Sequence, residues 1–233
     1  MDNVQSILLD IYDRLFDRYG DPHWWPGESP YEVITGAILT QNTAWGNVEK
    51  AIKNFGGRLS PEYIMSLEPA ALAEIIRPAG FFNQKAGYLQ TVTHWFTQYG
   101  YCAETVQALP MEHVRRELLS LKGVGKETAD SILLYAFGFP SFVVDAYTMR
   151  LIDRLPLPAA LDYDSVKVFF ENYLACDAGL YNCYHALIVL NGNSHCRKKP
   201  SCSNCPLISI CVQGSEKLSL TKETQMIQRN NIL

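Results

Sequence analysis

The stretch from residue 121 to residue 150, LKGVGKETADSILLYAFGFPSFVVDAYTMR, constrains the fold of this chain of 233 residues more than any other. It contains two glycines, Gly123 and Gly125, between two segments whose apolar residues recur at helical spacing. Glycine adopts backbone conformations that a side chain forbids, and it lets the backbone approach a ligand closely. The sequence therefore predicts two helices joined by a tight turn at residues 121–125.

The turn is a candidate site for an anion. The second helix is predicted to begin near residue 126, and its free N–H groups would then point toward the turn. The surrounding lysines add positive charge. Such a turn can bind phosphate without reading base sequence. The candidate residues here are Lys122, Gly123, Val124, Gly125 and Lys126. An ordinary helical hairpin with a glycine C-cap is the alternative interpretation.

Asp145 is the second feature of this stretch that can carry chemistry. It follows three apolar residues, 142–144, and an acidic residue in that position is rarely freely solvated. Asp145 is therefore a candidate functional carboxylate. The alternative is a helix N-cap, because residues 146–152 could begin a helix. The two roles are compatible.

The rest of the chain predicts an all-α protein. Apolar residues recur at helical spacing in most segments, and no alternating strand pattern is longer than residues 142–144. The 48% hydrophobic content is enough for one or two domains. The N-terminal stretch lacks the features of a signal peptide, and no apolar run reaches the length of a membrane span. We therefore expect a cytoplasmic protein with no membrane partner.

The net charge of −4 does not by itself indicate nucleic-acid binding. Basic residues are nevertheless concentrated in a few places, which predicts a local basic face on an acidic body. A DNA affinity that depends strongly on salt would follow. These residues are Arg115, Arg116, Lys122, Lys126, Arg150, Arg154, Arg197, Lys198 and Lys199.

The motifs LKGVGKETAD and VVDAYTMR resemble those of the helix-hairpin-helix DNA glycosylases, the endonuclease III superfamily. The resemblance implies that the hairpin grips DNA phosphate and that Asp145 is catalytic. Bifunctional members carry a lysine nucleophile where this chain has Glu127, which implies that abasic-site lyase activity is lost. The implied architecture has an N-terminal helix and loop (1–29), a six-helix barrel ending in the hairpin (30–137), and a domain with the catalytic Asp and an iron–sulfur cluster (138–233).

Further patterns, WWP, LTQNT, RPxGFxNQKA and GKExAD, are similar to those of the 3-methyladenine DNA glycosylases of this superfamily. The resemblance implies a base pocket lined by Trp24, Trp25 and Trp45. It also implies that Asn42 fills the gap left by an extruded base and that Phe81 is the intercalating wedge. The alternatives are core tryptophans and a core phenylalanine.

Four of the seven cysteines lie close together in sequence: Cys196, Cys202, Cys205 and Cys211. In a cytosolic protein this crowding favours a metal over disulfides, and zinc is one candidate. The resemblance implies a [4Fe-4S] cluster that folds the loop carrying residues 197–199 against DNA. The spacing departs from the family, because five residues separate the first two cysteines where six are usual.

A base alkylated at a ring nitrogen is already cationic and leaves without a general acid. One carboxylate, Asp145, can then stabilise the sugar cation and activate water, where O-glycosidases need two. We therefore expect a monomeric, monofunctional DNA glycosylase that acts on double-stranded DNA containing an alkylated purine such as 3-methyladenine. The alternatives are a mismatch or oxidised-base glycosylase of the same superfamily and a non-catalytic DNA-binding module.

Overall fold

The computed structural model describes residues 2–214, and it contains no β-strand among them. The predicted all-α class is confirmed. The helices are α1 (Asp2–Tyr19), α2 (Pro30–Leu39), α3 (Trp45–Lys53), α4 (Pro61–Ser66), α5 (Pro69–Ile75), α6 (Phe82–Thr97), α7 (Ala103–Gln107), α8 (Met111–Ser120), α9 (Lys126–Ser131), α10 (Ala146–Arg154), α11 (Tyr163–Tyr173) and α12 (Ala178–Ser194), with a 3₁₀ turn at Arg77–Ala79 and a π-helical turn at Ile132–Ala136.

The described chain divides into two compact units. One, the hairpin unit, comprises residues 25–143. The other, the aspartate unit, comprises residues 2–24 together with residues 144–214. The three-part division expected from the sequence stays a prediction, and its last portion, residues 215–233, lies outside the described residues. Within the described range, no helix is both long and apolar enough to cross a membrane.

The hairpin unit is built around α2, which is buried along nearly its whole length. Helix α2 packs against α6 and the π-helical turn. Its start is set by Ser29, whose hydroxyl accepts the N–H of Glu32 at 3.2 Å. A proline at the first helical position suits such a start, because its missing N–H would have no partner there in any case. The same serine–proline start recurs at α4 with Ser60.

The aspartate unit buries one face of α1 against α12. Leu8, Ile11 and Leu15 are fully buried at helical spacing, as the amphipathic N-terminal pattern predicts. The Tyr184 hydroxyl of α12 donates to the Leu8 carbonyl at 2.8 Å. Aspartates cap α10, α11 and α12, where each carboxylate accepts N–H groups of the first helical turn.

The helix after the hairpin differs from the sequence-based expectation. Periodicity predicts one helix over residues 127–137, but α9 ends at Ser131 and a π-helical turn follows. A π turn adds a residue to the helical turn, so it rotates the following side chains relative to an α-helix. Tyr135 lies in this turn, and its position matters for the site described next.

Candidate active site

The turn between α8 and α9 depends on one glycine more than on the other. Gly123 has φ +89°, and a Cβ added there would lie 2.1 Å from the ring of Tyr88. Gly125 has ordinary extended backbone, and a Cβ there would meet no atom within 4 Å. The close approach of Tyr88 therefore requires a glycine at residue 123, while residue 125 leaves open space on its outer side.

The exposed residues of the turn are those that the sequence predicts for phosphate binding. Lys122, Gly125 and Lys126 are exposed, Gly123 is partly exposed, and Val124 is buried and anchors the turn in the core. Glu127, at the position of the lyase nucleophile in the bifunctional enzymes, is exposed in the first turn of α9. The arrangement can hold an anion at the start of α9.

Two polar side chains hold the hairpin in place. The Gln41 amide donates to the Gly123 carbonyl at 2.9 Å and to the Thr128 hydroxyl at 3.0 Å. Arg115 of α8 forms a bidentate ion pair with the fully buried Asp130 of α9, at 2.8 and 3.0 Å. Arg115 was expected to contribute to a basic DNA-binding face. The structure instead engages its guanidinium inside the hairpin.

Asp145 caps α10, and its carboxylate is oriented by that cap. Its Oδ1 accepts the N–H of Tyr147 at 2.9 Å, the N–H of Thr148 at 2.7 Å and the hydroxyl of Thr148 at 3.0 Å. The other oxygen, Oδ2, lies 3.7 Å from Nε2 of His185. The side chain is only 12% exposed. The N-cap and the partly buried carboxylate, two interpretations from the sequence, therefore hold together.

His185 is a neighbour of Asp145 that the sequence analysis did not identify. It lies in α12 and is buried. Burial lowers the pKa of His185, and the nearby Asp145 carboxylate only partly offsets this. The imidazole is therefore neutral near pH 7, and it can bind or orient a polar group at Oδ2 without neutralising the carboxylate.

Three aromatic side chains of the hairpin unit form a cluster. The ring of Trp25 lies 5.2 Å from that of Trp45, edge to face, and 5.1 Å from that of Tyr135. Gly36 permits this arrangement, because a Cβ there would come within 3.0 Å of the Trp25 indole. Trp25 and Trp45 are half-buried, so their faces remain partly accessible. Trp24, the third predicted pocket residue, is half-buried and belongs to the aspartate unit.

The two predicted base-flipping residues lie at exposed loop tips of the hairpin unit. Phe81 is 65% exposed, so the alternative of a core phenylalanine is wrong. Asn42 is exposed as well. Both residues have left-handed backbone, with φ +52° at Asn42 and φ +46° at Phe81. Non-glycine residues adopt this conformation rarely, and such strain is typical of functional sites.

Comparison with known proteins decides the family. The model of the HhH-GPD superfamily of base excision DNA repair proteins matches residues 35–174. This chain belongs to that superfamily. It is a DNA glycosylase, which hydrolyses the N-glycosidic bond between base and sugar.

Individual relatives support the assignment. The chain is 47% identical to the candidate DNA repair glycosylase MJ1434 of Methanocaldococcus jannaschii. The match covers 91% of this chain and 98% of the relative. It is 26% identical to endonuclease III of Sulfolobus acidocaldarius, over 78% of this chain and 81% of the relative. The crystal structure of the H. pylori 3-methyladenine DNA glycosylase MagIII bound to 1,N6-ethenoadenine matches with 31% identity and a TM-score of 0.66, over 80% of this chain and 95% of that one.

The four-cysteine loop of this glycosylase lies against the end of α10. Arg154 donates to Cys196 Sγ at 3.1 Å and to the carbonyls of Arg197 and Lys198 at 2.9 and 3.3 Å. The thiol of Cys211 donates to the Arg154 carbonyl at 3.5 Å. Between residues 2 and 214, no three His, Cys, Asp or Glu side chains are arranged to hold a single metal ion.

The donor set nevertheless fits a thiolate-ligated group. All four thiols are partly buried, and none forms a disulfide. Burial raises the pKa of Cys205, and the neighbouring thiols of the loop raise it further. The other three thiols are thus near enough to Cys205 to affect its ionisation, as expected of four cysteines that would serve one cluster.

Several residues that shape the site were not recognised from the sequence. Tyr135 and His185 lie in apolar helical segments, where periodicity indicates only the buried face. The signal available in the sequence was that each of them is a titratable residue on an otherwise apolar helix face. Lys85 belongs to the RPxGFxNQKA pattern, but the pattern alone assigns no role to it. It is buried, and its ammonium donates to two carbonyl groups.

The contrast between the two hairpin glycines can be tested directly. We expect Gly123→Ala to lower the thermal unfolding midpoint and to weaken binding to undamaged DNA, because the Cβ would displace Tyr88 and the φ of +89° disfavours alanine. Gly125→Ala is the matched control and should leave stability nearly unchanged. Equal stability of the two variants in thermal denaturation would contradict this account of the turn.

Proposed function

We propose that this HhH-GPD glycosylase releases purines alkylated at a ring nitrogen, such as 3-methyladenine, from double-stranded DNA, and that it acts as a monomer. The observation that carries the proposal is the cluster of Trp25, Trp45 and Tyr135. An electron-rich aromatic face attracts a cationic base by up to ~2 kcal/mol when the pair is desolvated. A neutral base gains only stacking, about 1–3 kcal/mol, which every base receives.

The proposed chemistry uses a single carboxylate. A cationic alkylpurine is already a good leaving group, so the enzyme needs only to stabilise the sugar cation and to activate water. We assign both tasks to Oδ2 of Asp145, since Oδ1 is occupied by three donors of the α10 cap. The neutral His185 beside Oδ2 would orient the carboxylate or the water.

Further assignments concern base flipping, phosphate binding and the abasic product. Phe81 would enter the base stack as the wedge and Asn42 would fill the gap of the extruded base, in keeping with their exposed positions. Lys122 to Lys126 would hold the phosphate backbone. Glu127, at the position of the lyase nucleophile, cannot form a Schiff base, so the abasic product would be left intact.

We also propose a [4Fe-4S] cluster held by Cys196, Cys202, Cys205 and Cys211, with zinc as the alternative. Two observations support a thiolate-ligated group: Arg154 donates a hydrogen bond to Cys196 Sγ, and the other three thiols raise the pKa of Cys205. When bound, the cluster would serve as a structural crosslink. It would order the loop that presents Arg197, Lys198 and Lys199, all exposed, to DNA phosphate.

The experiment that tests the proposal is a single-turnover base-release assay. Duplexes methylated at purines should lose their methylated bases, while uracil, thymine-mismatch and 8-oxoguanine duplexes should be excised far more slowly. A preference for a mismatch or an oxidised base would overturn the substrate class. The adduct 1,N6-ethenoadenine is a modified purine that carries no positive charge, so its excision rate shows whether selectivity depends on the charge of the base or on its size.

Asp145→Asn should lower base release by about 10² or more, because the charge that stabilises the sugar cation is lost. Asparagine is as good an N-cap as aspartate, so α10 should stay intact. The matched control is Asp153→Asn, an exposed position on the same helix, which should release bases at the wild-type rate. If Asp145→Asn kept most of the wild-type rate, Asp145 would not be the catalytic carboxylate.

Borohydride should trap no covalent complex with abasic DNA. A Schiff base needs an amine at the position that Glu127 occupies. Gel analysis of the trapped reaction should therefore show free protein and intact abasic strand. Efficient trapping would mean that another lysine acts as nucleophile. Lys126 is the nearest candidate, and Lys126→Ala would then abolish trapping.

Substitutions of Trp45 should separate cation–π attraction from simple hydrophobicity. We expect excision of 3-methyladenine to fall from wild type to Trp45→Phe and further to Trp45→Leu, because attraction for a cation weakens from indole to phenyl and is absent for leucine. Binding to an abasic-site analogue should change little. Equal excision rates for Trp45→Leu and wild type would show that the pocket is merely apolar.

Purified protein should be brown and contain about four irons per chain. A colourless protein with one zinc would overturn the iron–sulfur assignment. Cys202→Ser should lose metal and DNA binding, whereas Cys176→Ser, at an exposed cysteine of the same unit, should retain both. Metal analysis and visible absorption of the three proteins provide the measurement.

A further inference from the structure

Lys85 is a buried lysine that has no carboxylate partner among residues 2–214. It lies in α6, is 2% exposed, and its Nζ donates to the carbonyls of Leu39 and Ala79, each at 2.8 Å. Desolvation lowers the pKa of Lys85 to about 8, so the ammonium remains the main form at neutral pH. A buried cation is costly unless it is hydrogen-bonded, so the two carbonyl partners of Lys85 are what make its burial tolerable.

The two carbonyl groups lie at the buried C-terminal ends of two helical segments. Leu39 is the last residue of α2, and Ala79 is the last residue of the 3₁₀ turn. Carbonyls at helix C-termini have no partner within their own helix, and the negative end of the helix dipole favours a cation. The Lys85 ammonium therefore caps both segments at once.

The chain changes direction directly after each carbonyl. Beyond Leu39 it enters the loop of residues 40–44, with Asn42 at φ +52°. Beyond Ala79 it enters the loop of residues 80 and 81, where both residues have left-handed backbone. The Lys85 N–H also donates to the Phe81 carbonyl at 3.0 Å, and the Thr43 hydroxyl donates to the Ala79 carbonyl.

We propose that Lys85 is a positioning residue that holds the Asn42 loop and the Phe81 loop at a fixed separation, ready for the wedge and the gap-filling residue to enter DNA together. The inference rests on the proposed function, because it takes these loops as the base-flipping elements. Its effect should be confined to flipping, since Lys85 touches neither the aromatic cluster nor Asp145 through any described contact.

The loop arrangement extends to the hairpin through Gln41, which precedes Asn42 and donates to the Gly123 carbonyl. The wedge, the gap-filling residue and the phosphate-binding turn are thus joined by two polar side chains of one unit. A rigid connection of this kind lets phosphate binding at the turn set the depth at which Asn42 and Phe81 enter the duplex.

The first test measures the loops without DNA. Hydrogen exchange of the Lys85→Met protein should be faster than wild type at residues 40–44 and 79–85, because methionine keeps the length of lysine but donates no hydrogen bond. Leu89→Ala, at a fully buried position one turn along α6, is the stability control. Amide hydrogen exchange of Leu89→Ala should be faster than wild type, but the increase in the two loops should be no greater than elsewhere in the hairpin unit. Unchanged exchange in both loops of Lys85→Met would overturn the proposal.

The second test compares excision from duplex and from single-stranded DNA, since a single strand needs no flipping. Lys85→Met should lose roughly tenfold to a hundredfold in single-turnover rate on methylated duplex, the range expected when groups are misplaced by about 1 Å. Its rate on the same methylated single strand should stay close to wild type. Equal losses on both substrates would overturn the positioning role.

Thr43→Val provides a second variant should Lys85→Met fold poorly. It removes only the other hydrogen bond to the Ala79 carbonyl and keeps the side-chain volume. Its single-turnover excision rate on methylated duplex should fall by less than that of Lys85→Met, and its rate on the methylated single strand should not fall. If wild-type enzyme released no alkylated base, the proposed function would fail, while the exchange measurement would still decide whether Lys85 holds the loops.

Discussion

The unsatisfied carbonyl groups at the ends of short helices are the constraint on which the hairpin unit depends. Each helix leaves such groups, and a unit built from helices of five to sixteen residues has many. Here side chains from distant segments supply the missing donors, and each also fixes one segment against another. The pairs are Gln90 with Leu67, Asn54 with Ile75, Gln107 with Phe137, and Lys85 with Leu39 and Ala79.

In the aspartate unit the corresponding constraint is the unsatisfied N–H groups at a helix start, and Asp145, the carboxylate that we propose as catalytic, lies there. The cap requires only one oxygen of Asp145, because all three donors converge on Oδ1. A carboxylate has two oxygens, so the same residue can organise a helix and still present Oδ2 to a substrate. The helix start thereby orients the carboxylate that we propose as catalytic.

Much of this fold and part of the site could be predicted from the sequence, for reasons that particular residues make clear. Helical periodicity identified the all-α class but not the π-helical turn at Ile132–Ala136. Gly123 and Asp145 were recognisable because a turn and a cap need specific residue types. Partners distant in sequence were not predictable. Periodicity places Lys85 and His185 on buried faces, but it cannot show that one meets two carbonyls and the other a carboxylate.

The magnitudes show how the fold holds the strained backbone of the Asn42 and Phe81 loops. Left-handed backbone costs about 1–2 kcal/mol for a residue such as Phe81 and less for Asn42, whose short polar side chain tolerates it. Against this, a hydrogen bond from a charged donor contributes about 1.5–3 kcal/mol, and Lys85 makes two, less the cost of burying its ammonium. The hydrogen bonds of Lys85, together with that of Thr43 to the Ala79 carbonyl, thus offset part of the backbone strain within the folded unit itself.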